Sequence, residues 1–245
     1  MLAVIGGSGL SRLANLEVVG RKVVRTPYGE PSGPLTIGRI HDRDVIFLAR
    51  HGYGHTIAPH EVNYRANIWA LKEEAVEGVI SVASVGGIRA DLAPGTLVVP
   101  HQIIDYTWGR RSTFFEGAGA AVTHVDFTEP YSGALSKRIL DAAKACGEPM
   151  LQGAVYATTQ GPRLETAAEI ARLERDGADI VGMTGMPEAV LARELGLEYA
   201  AIGVIANAAA GKGDSANRIA LDAIEAVLED AMGRVRRVIE QMVAG

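Results

Sequence analysis

Short, uninterrupted apolar runs alternate along this chain with stretches in which apolar residues return every three or four positions. The runs Leu2–Ile5, Val45–Ala49, Gly78–Ala83, Val155–Thr158, Ile180–Val181 and Tyr199–Ala206 predict strands. The periodic stretches Val62–Ala75, Gly133–Cys146, Leu164–Arg175, Pro187–Leu195 and Asn217–Val243 predict helices. No internal repeat, low-complexity tract or composition shift marks a linker, so the pattern predicts one α/β domain spanning residues 1–245 around a mixed sheet. Gly109–Gly119, with Arg110, Arg111 and interspersed glycine and alanine, predicts a mobile loop.

Two of the predicted strands end in small, hydroxyl-bearing turns. Gly182–Glu188 (GMTGMPE) follows Ala178–Val181 and enters a helix with Pro187 near its first turn. Gly6–Gly9 follows Leu2–Ile5 and carries Ser8. Backbone N–H groups at such turns, with a helix dipole behind them, suit an oxyanion such as phosphate. Read alone, Gly6–Gly9 is equally a tight strand-to-helix turn. A dinucleotide-binding fingerprint fits poorly, because Arg12 stands where the third glycine is required.

Composition narrows the classes. A chain of 245 residues can bury a substantial core. The 24 basic and 29 acidic residues give a net charge of −5, which argues against a nucleic-acid footprint. No apolar run approaches the ~20 residues of a spanning helix, and no basic leader or cleavage signature opens the sequence. Cys146 is the single cysteine, so no internal disulfide forms. The expectation is a cytoplasmic enzyme without a membrane or nucleic-acid partner. His51, His55 and His60 crowd one segment, but their spacing among Gly52, Gly54 and Pro59 matches no zinc motif. No metal is predicted, and His55 and His60 read as loop or interface histidines.

Five motifs occur in a shared order: Ile5–Leu10 (IGGSGL), Leu48–Gly52 (LARHG), Val62–Lys72 (VNYRANIWALK), Gly161–Thr166 (GPRLET) and Gly182–Glu188. Over nearly the whole chain the sequence resembles the trimeric purine nucleoside phosphorylase and methylthioadenosine phosphorylase family, most of all its bacterial S-methyl-5'-thioinosine phosphorylase branch. The resemblance implies a twisted mixed sheet, partly closed into a barrel and surrounded by helices. It implies attack of phosphate on C1' of a nucleoside, releasing a purine base and a pentose 1-phosphate. Ser8, Arg50, His51, Ala83, Ser84 and Thr184 match the family's phosphate-holding positions. Their chemistry fits: Arg50 supplies a charged fork, Ser8 and Thr184 hydroxyl donors, Ala83 and Ser84 a small turn whose N–H groups can approach, and His51 a further donor.

The base end departs from the methylthioadenosine phosphorylases, which usually carry an Asp-x-Asp pair at Asn207, Ala208 and Ala209 and a serine at Glu165. A Glu165 carboxylate can accept from the N1–H of a 6-oxopurine but would face the lone pair of adenine N1. Asn207 can donate to O6 or N7, whereas the side chain of Ala209 can accept nothing from a 6-amino group. Purine nucleoside phosphorylases of the family use the same Glu and Asn for 6-oxopurines. As an alternative, Glu165 is a solvated acid in a first helical turn.

At the sugar end, the family's nucleoside enzymes carry a histidine at Leu221, and its methylthio enzymes an aliphatic residue there and three positions on. Leu221 and Ile224 would therefore form an apolar wall for a thiomethyl group, unless they are simply core positions of the last helix. By resemblance, Met183 lies under the ribose, Leu164 replaces a base-stacking phenylalanine, and His124 belongs to a pocket of a neighbouring subunit in a homotrimer. The expected chemistry is phosphorolysis of S-methyl-5'-thioinosine with Asn207 and Glu165 as catalytic residues, phosphate as co-substrate and no cofactor. Readings as a methylthioadenosine phosphorylase or a broad 6-oxopurine phosphorylase stay open. A non-catalytic purine-binding protein and a nucleotide-dependent oxidoreductase lie outside the class.

Overall fold

The computed structural model describes residues 1–10, 13, 15–117, 119 and 121–245; Arg12 and Ala118 of the 109–119 stretch lie outside them. In chain order the first half runs β1 (Leu2–Gly6), β2 (Glu17–Lys22), β3 (Leu35–Ile40), β4 (Arg43–Ala49), α1 (Tyr64–Glu73), β5 (Gly78–Gly87), β6 (Leu97–Val99) and β7 (Gln102–Asp105). There follow α2 (Gly133–Ala145), β8 (Met150–Gln152), β9 (Val155–Thr158), α3 (Ala167–Arg175), β10 (Ile180–Gly182), α4 (Gly185–Glu194), β11 (Glu198–Ala208) and α5 (Leu221–Ala244).

The strands form one mixed sheet in the order β2-β3-β4-β1-β5-β10-β9-β7, which branches at β5 where β11 also pairs; β6 joins β11 and β8 joins β6. β1 lies parallel to β4 and β5, and β11 runs parallel to β5 from Glu198↔Gly78 to Ala208↔Gly87 with a bulge near Asn207. The C-terminal ends of β1, β4, β5 and β11 therefore meet at one edge. In open α/β sheets that edge is where ligands bind.

Period-two alternation sends the two faces of β1 into two helical layers. Leu2 and Val4 pack with Ile139 of α2 and Met232, Val235 and Ile239 of α5. Ala3 and Ile5 pack with Ile68 and Leu71 of α1 and Ala189 and Leu191 of α4. Covered on both faces, the central strands read as continuous apolar runs rather than alternating ones. The expected α/β domain with a mixed sheet is the observed fold, and no helix among the described residues is long and apolar enough to cross a membrane.

Three boundaries shift for local reasons. α3 starts at Ala167 rather than Leu164, because Thr166 caps it: Thr166 Oγ1 accepts from Glu169 N at 3.1 Å, and Glu169 Oε2 accepts from Thr166 N at 2.8 Å. Leu164 and Glu165 thus stay outside the helix. α5 starts at Leu221 rather than Asn217, since Ala220 is extended with ψ 95°. In α4, Met186 is non-helical (φ −120°, ψ 140°), as befits a residue before proline, and the regular helix follows Pro187.

Within the expected mobile loop, the described residues Arg110 and Phe114 are anchored. Every guanidinium nitrogen of Arg110 donates: Nη1 to the carbonyls of Met183 (2.8 Å) and Met186 (2.6 Å), Nη2 to that of Gln160 (2.9 Å), and Nε to Gln160 Oε1 (3.2 Å). Phe114 is buried, and its N–H donates to Glu194 Oε2 at 2.7 Å.

The Thr166 cap fixes where the chain leaves the β9–α3 connection. Thr166→Ala should cost about 1 kcal/mol of stability, read as a lower urea midpoint with an unchanged slope. An unchanged midpoint would contradict the cap.

Candidate active site

The strand-end edge opens into a cavity of about 470 Å³. Ser8, Arg50, His51, Ala83, Ser84 and Thr184 all line it, as do Met183, Leu164, Glu165, Asn207, Ala209 and Ile224. Residues scattered from position 8 to position 224 converge because they sit at or beyond strand ends, inside β5 at Ala83 and Ser84, in the β9–α3 connection at Leu164 and Glu165, or on the first turn of α5 at Ile224.

One end of the cavity is crowded with donors. After β1 the chain turns at Gly7–Leu10, closed by Leu10 N–H to Gly7 O at 3.1 Å, and Ser8 stands at its tip. Gly7 has a steric reason to be glycine, since a Cβ there would lie 2.8 Å from Arg50 Nη1 and 2.9 Å from Val82 O. The N–H of Arg50 donates to Gly6 O at 2.9 Å, tying the end of β4 to that of β1. Thr184 follows β10 in the turn that leads into α4, and its buried side chain lines the same space.

Arg50 is wholly buried and forked onto the equally buried Glu188, Nε to Oε2 at 2.7 Å and Nη2 to Oε1 at 2.9 Å. Nη2 also donates to Ser81 Oγ (2.7 Å) and Nη1 to Val82 O (3.1 Å). A guanidinium has five N–H bonds. Four are committed to protein acceptors, which leaves one, on the Nη1 that faces Gly7. Glu188 Oε1 further accepts from Ser81 Oγ at 2.7 Å and Tyr199 OH at 2.9 Å. Burial by itself would lower the Arg50 pKa, but the Glu188 charge and hydrogen bonds outweigh it and hold the group above its ordinary value. The sequence motif contained Glu188 without marking its role; only its complete burial distinguishes it from an ordinary first-turn acid.

His51 Nδ1 lies 2.8 Å from the Ile57 carbonyl. Burial first, and then the Arg50 charge, push its pKa down to about 4, so it is neutral at pH 7. A neutral ring bonded to a carbonyl carries its proton on Nδ1, which leaves Nε2 as an acceptor. Its expected service as an imidazole donor therefore requires a second proton. His55, read from sequence as a loop histidine, reaches the cavity: its ring centroid is 4.7 Å from that of His51 and its Nε2 is 3.4 Å from Ser8 Oγ. Its place follows from the turn after His51, where Thr56 and Ile57 N–H both bond the His51 carbonyl. Among the described residues, no cluster of His, Cys, Asp and Glu could hold a metal ion.

The other end carries the groups suited to a purine. Glu165 Oε1 accepts from Thr159 Oγ1 at 2.6 Å, while Arg163 turns away to fork onto Glu169. Asn207 Nδ2 donates to Ala208 O at 2.6 Å. Asn207 and Ala209 face the cavity, but Ala208 does not: side chains alternate here, and its Cβ faces Gly213.

The sugar wall is split. Ile224 lines the cavity, whereas Leu221 is 65% exposed and lies outside the lining; Ile219 contributes instead. Leu164 stands half-exposed, and His124 is exposed without lining the cavity of its own chain.

Comparison with known proteins agrees with this architecture. The sequence matches the phosphorylase superfamily over residues 1–244. It is 51% identical over 242 residues to a probable S-methyl-5'-thioinosine phosphorylase of Pseudomonas syringae pv. tomato, covering 99% of this chain and 98% of that protein. It is 46% identical over 215 residues to a 6-oxopurine nucleoside phosphorylase of Pyrococcus furiosus, covering 86% and 80%. The structure superposes on methylthioadenosine phosphorylase from Schistosoma mansoni in complex with adenine with a TM-score of 0.94 at 33% identity, over 99% of this chain and 90% of the other. The chain belongs to the phosphorylase superfamily, as an enzyme of the purine nucleoside phosphorylase type.

Proposed function

We propose that this enzyme cleaves S-methyl-5'-thioinosine with phosphate, giving hypoxanthine and 5-methylthioribose 1-phosphate. The observation that carries the reading is the polarity of this cavity: the hydroxyls of Ser8, Ser84 and Thr184 and one free Arg50 N–H at one end, and an acceptor carboxylate beside an amide at the other. Ile224 supplies apolar surface towards the sugar, which suits a thiomethyl group better than a 5'-hydroxyl. The sequence similarity to methylthioinosine and 6-oxopurine enzymes supports the same assignment.

In this mechanism phosphate rests against Ser8, Ser84, Thr184 and the Nη1 of Arg50, close to C1'. A phosphate oxygen forms the new bond to C1' as the C1'–N9 bond breaks; the electron pair of that bond leaves with the purine, and the proton given up by hydrogen phosphate ends on the departing base. Asn207 donates to N7 or O6, where negative charge builds, and Glu165 accepts from N1–H; both act by fixed electrostatics rather than as nucleophiles. Phosphate is a co-substrate and no organic cofactor or metal takes part. The enzyme acts in the cytoplasm as a homotrimer, in which the exposed His124 reaches the sugar end of a neighbour's cavity.

Three measurements test this proposal. Base release should require phosphate, and Arg50→Lys should raise the KM for phosphate, because an ammonium cannot reproduce the fork on Glu188 and the remaining N–H together. Arg50→Ala is less informative, since stranding the buried Glu188 charge costs about 3–5 kcal/mol of stability. Undiminished base release without phosphate or arsenate would overturn the assignment.

If His124 serves a neighbour, activity should fall as the trimer dissociates on dilution, and His124→Ala should impair the trimer without altering its mass by light scattering. A fully active monomer contradicts this.

Methylthioinosine should exceed methylthioadenosine in kcat/KM, by up to ~10⁴ where the hydrogen-bond pattern is fully enforced. Combining Glu165→Ser, Asn207→Asp and Ala209→Asp should move the ratio towards the 6-amino substrate, with non-additive effects because the positions share one ligand. A wild type that prefers methylthioadenosine would leave phosphorolysis standing and the substrate wrong.

A further inference from the structure

One hydroxyl stands directly behind the carboxylate assigned to the base. Thr159 follows β9 and does not itself line the cavity. Its Oγ1 donates to Glu165 Oε1 at 2.6 Å, with the Gly182 carbonyl a more distant second acceptor at 3.3 Å. A hydroxyl has a single proton, and 2.6 Å is the length of a charge-assisted O–H···O⁻ bond, so the proton is directed at the carboxylate. Among the described residues Glu165 has no other side-chain partner. Arg163, the nearest cation in sequence, is held by both oxygens of Glu169 at 2.7 and 2.8 Å. Oε1 is thus anchored while Oε2 is left for a ligand.

Thr159 is itself held firmly. Its N–H donates to Gly182 O at 2.8 Å, and its carbonyl accepts from Arg110 Nη2 at 3.3 Å. Arg110 also grips the carbonyls of Gln160, Met183 and Met186, so the strand end behind Glu165 and the turn beneath the sugar form one frame.

Resting on the reading of Glu165 as the base acceptor, we propose that Thr159 is a positioning residue for base selectivity, pinning Glu165 so that Oε2 meets purine N1. A glutamate with unrestrained side-chain torsions can swing away from the N1 lone pair of a 6-aminopurine and so escape the repulsion that rejects it. An anchored carboxylate cannot, and the mismatch is then felt in full. Discrimination between bases is therefore set partly by a residue that touches neither.

The test compares kcat/KM for methylthioinosine and methylthioadenosine in Thr159→Val, which keeps the shape and removes the hydroxyl, and in Thr159→Ser, which keeps the hydroxyl. Thr159→Val should lower the selectivity ratio by about tenfold or more, as expected for a lost hydrogen bond to a charged group. The KM for phosphate should stay at the wild-type value, and Thr159→Ser should restore the ratio to within about threefold of wild type. Added to Glu165→Gln, Thr159→Val should change the ratio no further, because its effect passes through that carboxylate. A Thr159→Val enzyme with wild-type selectivity, or a Thr159→Ser enzyme as unselective as the valine variant, overturns the proposal even where Glu165→Gln abolishes selectivity. Wild-type selectivity in Glu165→Gln overturns the base reading and this inference together. If the valine variant fails to fold, Thr159→Ala in the otherwise wild-type enzyme takes its place: a loss of selectivity of about tenfold supports the proposal, and wild-type selectivity overturns it.

Discussion

The buried pair of Arg50 and Glu188 organises the phosphate end of the molecule. The two residues are 138 positions apart, and their fork joins the end of β4 to the first turns of α4. Burying both charges carries a desolvation penalty of several kcal/mol per ion, repaid only when geometry and accessory hydrogen bonds are good. Here they are: Glu188 Oε1 receives Nη2, the Ser81 hydroxyl and the Tyr199 hydroxyl, while Oε2 receives Nε. An apolar pair of equal volume would stabilise the fold at least as well. What it would not do is aim a guanidinium at the Gly7 turn with one N–H unused. Because Glu188 already balances the cation, an anion at this end meets oriented dipoles and a single charged donor rather than a bare positive charge. Such a site can hold phosphate and still let a sugar phosphate leave.

The fold separates this anion end from the base end. The groups proposed to hold phosphate come from the ends of β1 and β4, the middle of β5 and the entrance to α4, elements locked by parallel pairing and two buried helical layers. The groups proposed to meet the base come from the β9–α3 connection and the last residues of β11, beyond its bulge. Substitutions at Glu165, Asn207 and Ala209 can therefore alter which base fits while Arg50 and its partners stay in place. That division matches the relatives of this chain, whose names specify different purine substrates on a shared framework.

Much of this was legible in the sequence, for physical reasons. β1, β5, β9 and β11 are buried, and buried strands write themselves as apolar runs. β2 was not legible because its Glu17, Arg21 and Lys22 face solvent, and β7 and β8 are short and only partly buried, so they write no apolar run. The cavity residues were found because motif order carried them, but their facing was not always so. Ala208 lost its place to strand alternation and Leu221 to a late helix start, whereas His55 gained one through a turn no pattern announces. Glu188 and Arg110 show the deeper limit. Each resembles an ordinary charged residue of a helix or loop, and only tertiary contacts make one a fully buried counterion and the other a clasp on backbone carbonyls.

The two ends also differ in readiness. At the Arg50 end, the guanidinium is buried and fixed by four committed hydrogen bonds, so its remaining N–H is already aimed. At the base end, the amide of Asn207 donates to its own neighbour's carbonyl, and Leu164 is 42% exposed at the cavity wall. To serve N7 or O6, Asn207 must turn its second N–H inward or exchange the Ala208 contact for the base. That exchange replaces one hydrogen bond with another, so its net gain is small in the ground state and grows as charge builds on the departing purine. A group arranged in this way favours the transition state over the bound nucleoside. Under the proposed mechanism, the resting contact of Asn207 with the Ala208 carbonyl is one that the departing purine can replace.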